Sequence, residues 1–269
     1  MEDRIWLTIA DGIADVRLNR PDKMNALDPA MFQAIADVGG QLKDDRSLRA
    51  VVLSGEGGAF CAGLDVERVT AVTGGSKLLP FADLGENTHG MANWAQHIIW
   101  LWRELPVPVI AAVHGVAFGG GFQLALGADL RYVAPGTHLS VLEVKWGLVP
   151  DMAGTQLMRH LAREDVVREL TYTARVFSAE EAFEYGFATR LVEDPRAAAM
   201  LTAREIVGRS PDAIRAAKRL LNQAVVCETR AGLLAERTEQ QRLMGSRNQV
   251  EAVKANLEKR PPRFTDPVA

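Results

Sequence analysis

The spacing of apolar residues divides the chain into stretches of different period. Ile5, Leu7 and Ile9 alternate with Trp6 and Thr8, and the alternation resumes at Ala14, Val16 and Leu18 after Asp11-Gly12. Two alternating runs joined by an Asp-Gly turn predict a β-hairpin. The polar stretch NRPDKMN (19–25) ends it. Asp28-Pro29 then offers a capping acid followed by a residue whose fixed φ suits a first helical turn. Met31, Ile35, Val38 and Leu42 recur at helical spacing beyond it. AVVLSG (50–55) has almost no polar residue, which predicts a strand covered on both faces. Residues 70–90 have no clear period and several glycines, and read as a mobile loop. Trp94, Ile98, Leu101, Trp102 and Leu105 return to helical spacing, and PVPVIAAVHGVAF (106–118) reads as a second buried strand. LRYV and HLSV read as short strands. From about Pro150 the pattern is mostly helical, with a capping box from Ser178 to Glu181 and a further helix start at Ser210-Pro211. Strand–helix alternation followed by helices predicts an α/β fold with a helical tail.

Composition narrows the setting. The chain has 269 residues and a formal net charge of -3, so no charge excess steers it toward nucleic acid or an anionic membrane surface. No apolar run approaches the roughly 20 residues of a membrane span. The N-terminus, MEDRIWLTIADG, has acids where a signal peptide carries a basic start. Two widely separated cysteines, Cys61 and Cys227, argue against a disulfide framework or a cysteine zinc site. The expected location is the cytoplasm, with no metal.

The chemistry concentrates in two loops. CAGLD (61–65) follows the first buried strand and FGGGFQ (118–123) the second, and each reads as the opening of a helix. A helix start presents backbone N–H groups without internal partners and a partial positive charge. Glycine lets a ligand come close. Two such loops on neighbouring strands could aim two N–H groups at one carbonyl oxygen, each worth about 3–4 kcal/mol to a developing enolate. Spacing alone also allows tight packing or phosphate binding. A dinucleotide fingerprint fits poorly, because Leu124 stands where its third glycine belongs.

FCAGLD, IAAVHGVAFGGGFQLALGADLRYV and EVKWGLVPDMAGTQ, together with the opening hairpin and NRPDKMNAL, resemble the signature blocks of the crotonase superfamily of enoyl-CoA hydratases and isomerases. The resemblance covers nearly the whole chain. It implies a spiral of ββα turns over residues 1–200, a helical C-terminal region over 201–269 used for trimer formation, and a homotrimer or dimer of trimers. It implies an acyl-CoA thioester as substrate, with no further cofactor. The oxyanion donors would be the backbone N–H groups of Leu64 and Gly120. Lys23, Asn25, Ala26 and Ala62 would lie near the nucleotide end of CoA, and Asp65 and Gly119 would border the substrate. The 70–90 loop would cover the acyl tail.

One position departs from the family. Its hydratases flank a water with two glutamates, and here Gln123 takes the place of the first, while Glu143, 20 residues on, matches the second. An amide orients water but takes no proton at neutral pH. Adding water across a double bond needs both a base and an acid, so simple two-glutamate hydration is in doubt. Asp151, eight residues after Glu143, gives a spacing that resembles the dienoyl-CoA isomerase branch, though that branch is acidic at position 123 too. The expected activity is a double-bond shift: Glu143 moves a proton, Asp151 is a second carrier, and Gln123 hydrogen-bonds substrate or water. Hydration by Glu143 alone, and CoA-ester binding without turnover, are the other readings. Without the resemblance Glu143 reads as a surface acid near Lys145, Asp151 as a helix cap, Cys61 as a small apolar filler, His114 as a core residue, and Trp94, Trp100 and Trp102 as core or pocket wall.

Overall fold

The computed structural model describes residues 3–65 and 84–267. Most of the loop expected at 70–90 therefore lies outside the described residues, as does the chain directly after Asp65. Strands β1 (Ile5–Ala10) and β2 (Ile13–Leu18) form the predicted antiparallel hairpin, with Asp11 and Gly12 at positive φ in its turn. Helix α1 (Pro29–Asp44) starts where Asp28 accepts a hydrogen bond from the Met31 amide, and it buries Met31, Phe32, Ile35 and Leu42. Next come β3 (Ala50–Gly55), α2 (Trp94–Glu104), β4 (Val109–Val113), β5 (Val116–Phe118) and α3 (Gly120–Gly127). β6 (Leu130–Val133) and β7 (His138–Ser140) follow.

The main sheet runs β1-β2-β3-β4-β6-β9, where β9 is Arg190–Leu191, and is parallel beyond the first hairpin. A second sheet holds β5, β7 and β8 (Phe177–Ser178). Single parallel bridges join Leu27 to Leu64 and Cys61 to Ala117. Successive turns of the chain thus place one segment in the main sheet and the next in the second layer: β2 then Leu27, β3 then Cys61–Leu64, β4 then β5, β6 then β7. This is the expected ββα spiral. Apart from β8, which pairs antiparallel with β7, the segments of this layer are parallel, so their C-terminal ends come out side by side.

The run 106–118 is two strands in different sheets, not one. The chain turns at Gly115, which has φ +64, and a Cβ there would lie 1.9 Å from the Gly58 carbonyl oxygen. His114 sits in this break, part-exposed, with its Nε2 3.0 Å from the Gly57 carbonyl oxygen, instead of inside a strand. The uninterrupted apolarity of β3 has a clear cause. Val51 and Leu53 face the core under α1 and α2, while Ala50 and Val52 face a second core with Ala199 and Ala203. Those alanines belong to α7 (Pro195–Val207), so a boundary at residue 200 falls inside a helix that packs on the main sheet.

Between β7 and α7 lie α4 (Gly154–Met158), α5 (Glu164–Thr173) and α6 (Ala179–Tyr185), the last opened by the predicted Ser178–Glu181 capping box. The tail is α8 (Pro211–Ala224), α9 (Thr229–Leu243) and α10 (Arg247–Leu257). Lys218 anchors α8: its buried ammonium donates to the carbonyls of Trp102 and Val107 and to Asp129 at 2.8 Å. Lys218→Met is expected to cost about 3 kcal/mol in chemical denaturation, since it takes a donor from two carbonyls and leaves Asp129 with the Val109 amide but no opposite charge. An unchanged midpoint would mean water replaces the ammonium.

Candidate active site

The parallel ends of the second layer meet around one pocket. Ala62, Gly63 and Leu64 form one wall, Phe118, Gly119 and Gly120 another, and Leu142, Glu143, Trp146 and Leu148 the third. Glycine is required where the walls touch. Gly63 has φ +85, and a Cβ on it would lie 2.5 Å from the Phe118 carbonyl oxygen and 3.5 Å from the Gly120 nitrogen. Gly119 has φ +49, and a Cβ there would stand 3.3 Å from Glu143 Oε1. The two loops picked out in the sequence are thus pressed together, and the carboxylate lies against the second.

The Gly120 amide opens α3, where no earlier turn can accept its proton. The Leu64 amide likewise has no backbone acceptor among the described residues, although its neighbours do: Gly63 O accepts from Leu27 N, and Asp65 N donates to Leu27 O. Both amides border the pocket.

Glu143 begins a 3-10 turn, Glu143–Trp146, and is 9% exposed. It is not the surface acid its neighbour Lys145 suggested. Its Oε1 accepts a 2.6 Å hydrogen bond from Gln123 Nε2, and its Oε2 is buried without a partner. Burial raises its pKa above the ordinary 4.5, the backbone and Gln123 hydrogen bonds oppose that rise, and the charge of Asp151 adds to it. Asp151 is an exposed residue whose carboxyl is still partly desolvated by its surroundings, which raises its own pKa. It caps no helix: α4 starts at Gly154 with Ala153, at φ +67, in the cap position and no side chain bonded to it.

Three polar side chains expected to meet a ligand hold loops in the structure. Gln123 is completely buried and lies behind the pocket; its Oε1 accepts from the amides of Met152 and Gly154 at 3.0 and 2.8 Å. Asn25, also completely buried, donates to the carbonyls of Glu56 and Ala59 and accepts from the Arg20 amide. Asp65 takes a 2.5 Å ion pair from Arg20. Every polar atom of the Gln123 and Asn25 amides already has a partner, which leaves little to offer a substrate. Lys23 is exposed on the turn Pro21–Lys23, Ala26 is buried beside Leu27, and Ala62 lines the pocket.

Cys61 is buried and donates to the Asn25 carbonyl, and burial pushes its thiol up to about 12, as an inert filler requires. Trp102 is core, and the tryptophan in the pocket wall is Trp146. Sequence reading passed over Trp146 and Leu148; their only signal was their place in EVKWGLVPD directly after Glu143. A larger open cavity of about 900 Å³ lies among α8, α9 and α10. Its acids are occupied, Asp212 by Asn248, Glu239 by Arg219 and Asp266 by Arg49. No metal-holding cluster of His, Cys, Asp and Glu occurs among the described residues, and none of their helices is long and apolar enough to cross a membrane.

Stacked turns in two largely parallel layers, with two glycine loops and one buried carboxylate at their common edge, define an enzyme of the crotonase fold. The pattern of the family described as Enoyl-CoA hydratase/isomerase matches residues 8–267. The 1,2-epoxyphenylacetyl-CoA isomerase of Escherichia coli K12 is 33% identical over 269 residues, spanning 98% of this chain and 99% of its own. The mitochondrial methylglutaconyl-CoA hydratase of Mus musculus is 30% identical, spanning 94% of this chain and 79% of its own. The crystal structure of enoyl-CoA hydratase from Bacillus anthracis superimposes with a TM-score of 0.86 at 27% identity, over 97% of this chain and 98% of that one. The chain belongs to the enoyl-CoA hydratase/isomerase family.

Proposed function

We propose that the protein shifts a double bond in an enoyl-CoA thioester by proton transfer through an enolate. The thioester oxygen accepts the Leu64 and Gly120 N–H groups. Glu143 Oε2 takes a proton from Cα or Cγ, and the C–H electrons delocalise onto the oxygen. The carboxyl exchanges its proton with solvent while the enolate is held, and Glu143 then delivers a proton to the other carbon as the electrons return from the oxygen. Asp151 is the second carrier where a longer conjugated chain is shifted. Lys23, Ala26 and Ala62 lie toward the nucleotide end of CoA, and no other cofactor takes part. One observation carries this reading: a buried carboxylate with one oxygen held and the other unpartnered lines the same pocket as two amides that have no backbone acceptor among the described residues. Desolvation that raises its pKa makes it a stronger base at neutral pH.

Hydration by Glu143 alone is the second reading, favoured by the relatives named hydratases. Against it, the residue touching Glu143 is an amide, so no second carboxyl is in contact to deliver a proton. Incubation with saturated and unsaturated acyl-CoA in D₂O separates the readings. Deuterium at Cα and Cγ without hydroxyacyl product is expected. Its rate should rise with pH through a midpoint above 4.5, because only the ionised Glu143 accepts a proton and burial raises its pKa. Hydroxyacyl product means a hydratase, and tight binding without exchange means a CoA-ester binding protein.

The tail suits a homotrimer or dimer of trimers in the cytoplasm. Leu221, Leu233, Leu234 and Leu257 leave more than half their surface exposed on α8, α9 and α10, more apolar area than a monomer keeps without use.

A further inference from the structure

We infer that Gln123 is the positioning residue of this site: its side-chain amide fixes which oxygen of Glu143 reaches the substrate and ties that carboxylate to the segment carrying Asp151. The inference rests on the proton-transfer reading above and goes beyond it. It assigns to an amide inside α3 a task that none of the pocket-lining residues performs.

The amide is spent on three bonds. Its Nε2 donates to Glu143 Oε1 at 2.6 Å, and its Oε1 accepts from Met152 N and Gly154 N at 3.0 and 2.8 Å. An amide oxygen has two lone pairs, and both are used. This orientation of the amide is the one the partners dictate, since two backbone donors face one end and a carboxylate the other. With no exposed surface, the side chain has no other position to adopt.

The surroundings are shaped to it. A Cβ on Gly154 would lie 2.5 Å from Gln123 Oε1, so the backbone at 154 comes close only because it is glycine. Met152, whose amide Gln123 holds, packs behind the oxyanion loop: its Sδ would lie 3.0 Å from a Cβ on Gly120. Asp151 directly precedes it. One amide therefore links the base, the backing of one amide donor and the second acid.

Two consequences follow for the reaction. Oε1 of Glu143 is pinned, so the carboxylate cannot turn, and Oε2 is left as the single proton acceptor. A carboxylate held in one rotamer approaches a fixed carbon more often than a free one. The bond from Gln123 also favours the ionised carboxylate against the desolvation that opposes it. An acid at 123 could not do both, because two carboxylates in contact resist sharing two negative charges.

The test reads Glu143 directly. With glutamate labelled at the side-chain carboxyl, its carbon-13 signal is assigned by its disappearance in Glu143→Gln, then titrated in wild type, Gln123→Met and Gln123→Glu. The midpoint is expected to rise by about one unit or more in both variants. In Gln123→Met the favourable bond is lost, and in Gln123→Glu the pair shares a proton. Gln123→Glu keeps an acceptor for the Met152 and Gly154 amides, so it preserves the loop if Gln123→Met fails to fold. In Gln123→Met, exchange at neutral pH should also fall at least tenfold through kcat, with KM within a few-fold. A Glu143 midpoint unmoved in both variants overturns the inference, because a merely structural glutamine would lower thermal stability and leave that titration alone. The titration needs no turnover. A wild type that exchanges no deuterium would refute the isomerase reading and leave the positioning result standing.

Discussion

Glu143→Gln is expected to lower deuterium exchange at Cα and Cγ by about 10²–10⁴-fold, the usual contribution of a positioned general base. Affinity for acyl-CoA should stay within a few-fold, since the substitution keeps the side chain's shape. Gln123 Nε2 can still donate to the new amide oxygen, and the new amide nitrogen replaces an oxygen that had no partner. The folded protein should lose nothing by it. Burial raises the folded pKa of Glu143 above its unfolded value, so the protonated form favours the fold. That stability is fully present below about 4.5 and is lost as pH rises through the folded pKa. At neutral pH the carboxylate is therefore a cost to stability, and the variant should melt no lower than wild type. Exchange and melting measured together check both halves. Undiminished exchange removes Glu143 from the mechanism, and a clear drop in melting temperature removes the claim that its desolvation is kept for chemistry.

Replacing the Leu64 amide by an ester, through semisynthesis with the α-hydroxy analogue of leucine, should slow exchange by about 10²–10³-fold. The replacement deletes one N–H and keeps the side chain. If the enolate oxygen rests on that donor, the loss falls on the transition state and appears in kcat. The pH midpoint set by Glu143 should not move. The same change at Asp65 is the control. Its amide donates to the Leu27 carbonyl, so an ester there removes a structural hydrogen bond, lowering stability while exchange continues. Equal effects at the two positions would mean the Leu64 amide is structural too, and the oxyanion would need another donor.

Much of this architecture is written in local patterns. Asp-Gly between alternating runs makes a hairpin wherever it stands. Asp28 before Pro29, and Ser178 before Glu181, start helices through bonds to amides three residues away. Signals of that kind need no distant partner, so the chain alone carries them. The blocks CAGLD, FGGGFQ and EVKWGLVPD likewise mark Leu64, Gly120 and Glu143, which line one pocket.

Other features depend on partners far along the chain. A glycine within an apolar run gives no sign that a carbonyl 57 residues earlier leaves no room for a Cβ, so the split of 106–118 at Gly115 was invisible. Asn25, Asp65 and Gln123 are polar and stand in loop-like or glycine-rich stretches, which makes them look like ligand contacts. Whether a polar group faces a ligand or a loop depends on which donors and acceptors surround it, and for Gln123 those are the donating amides of Met152 and Gly154 and the accepting carboxylate of Glu143. By itself the sequence determined the opening hairpin and the helix starts, because these follow from residue type and short spacing, and its signature blocks carried the resemblance to the family and marked Glu143. Only the tertiary structure decided that the Gln123 amide is bonded to Glu143, Met152 and Gly154, because burial and hydrogen-bond partners exist only once remote segments have been packed together.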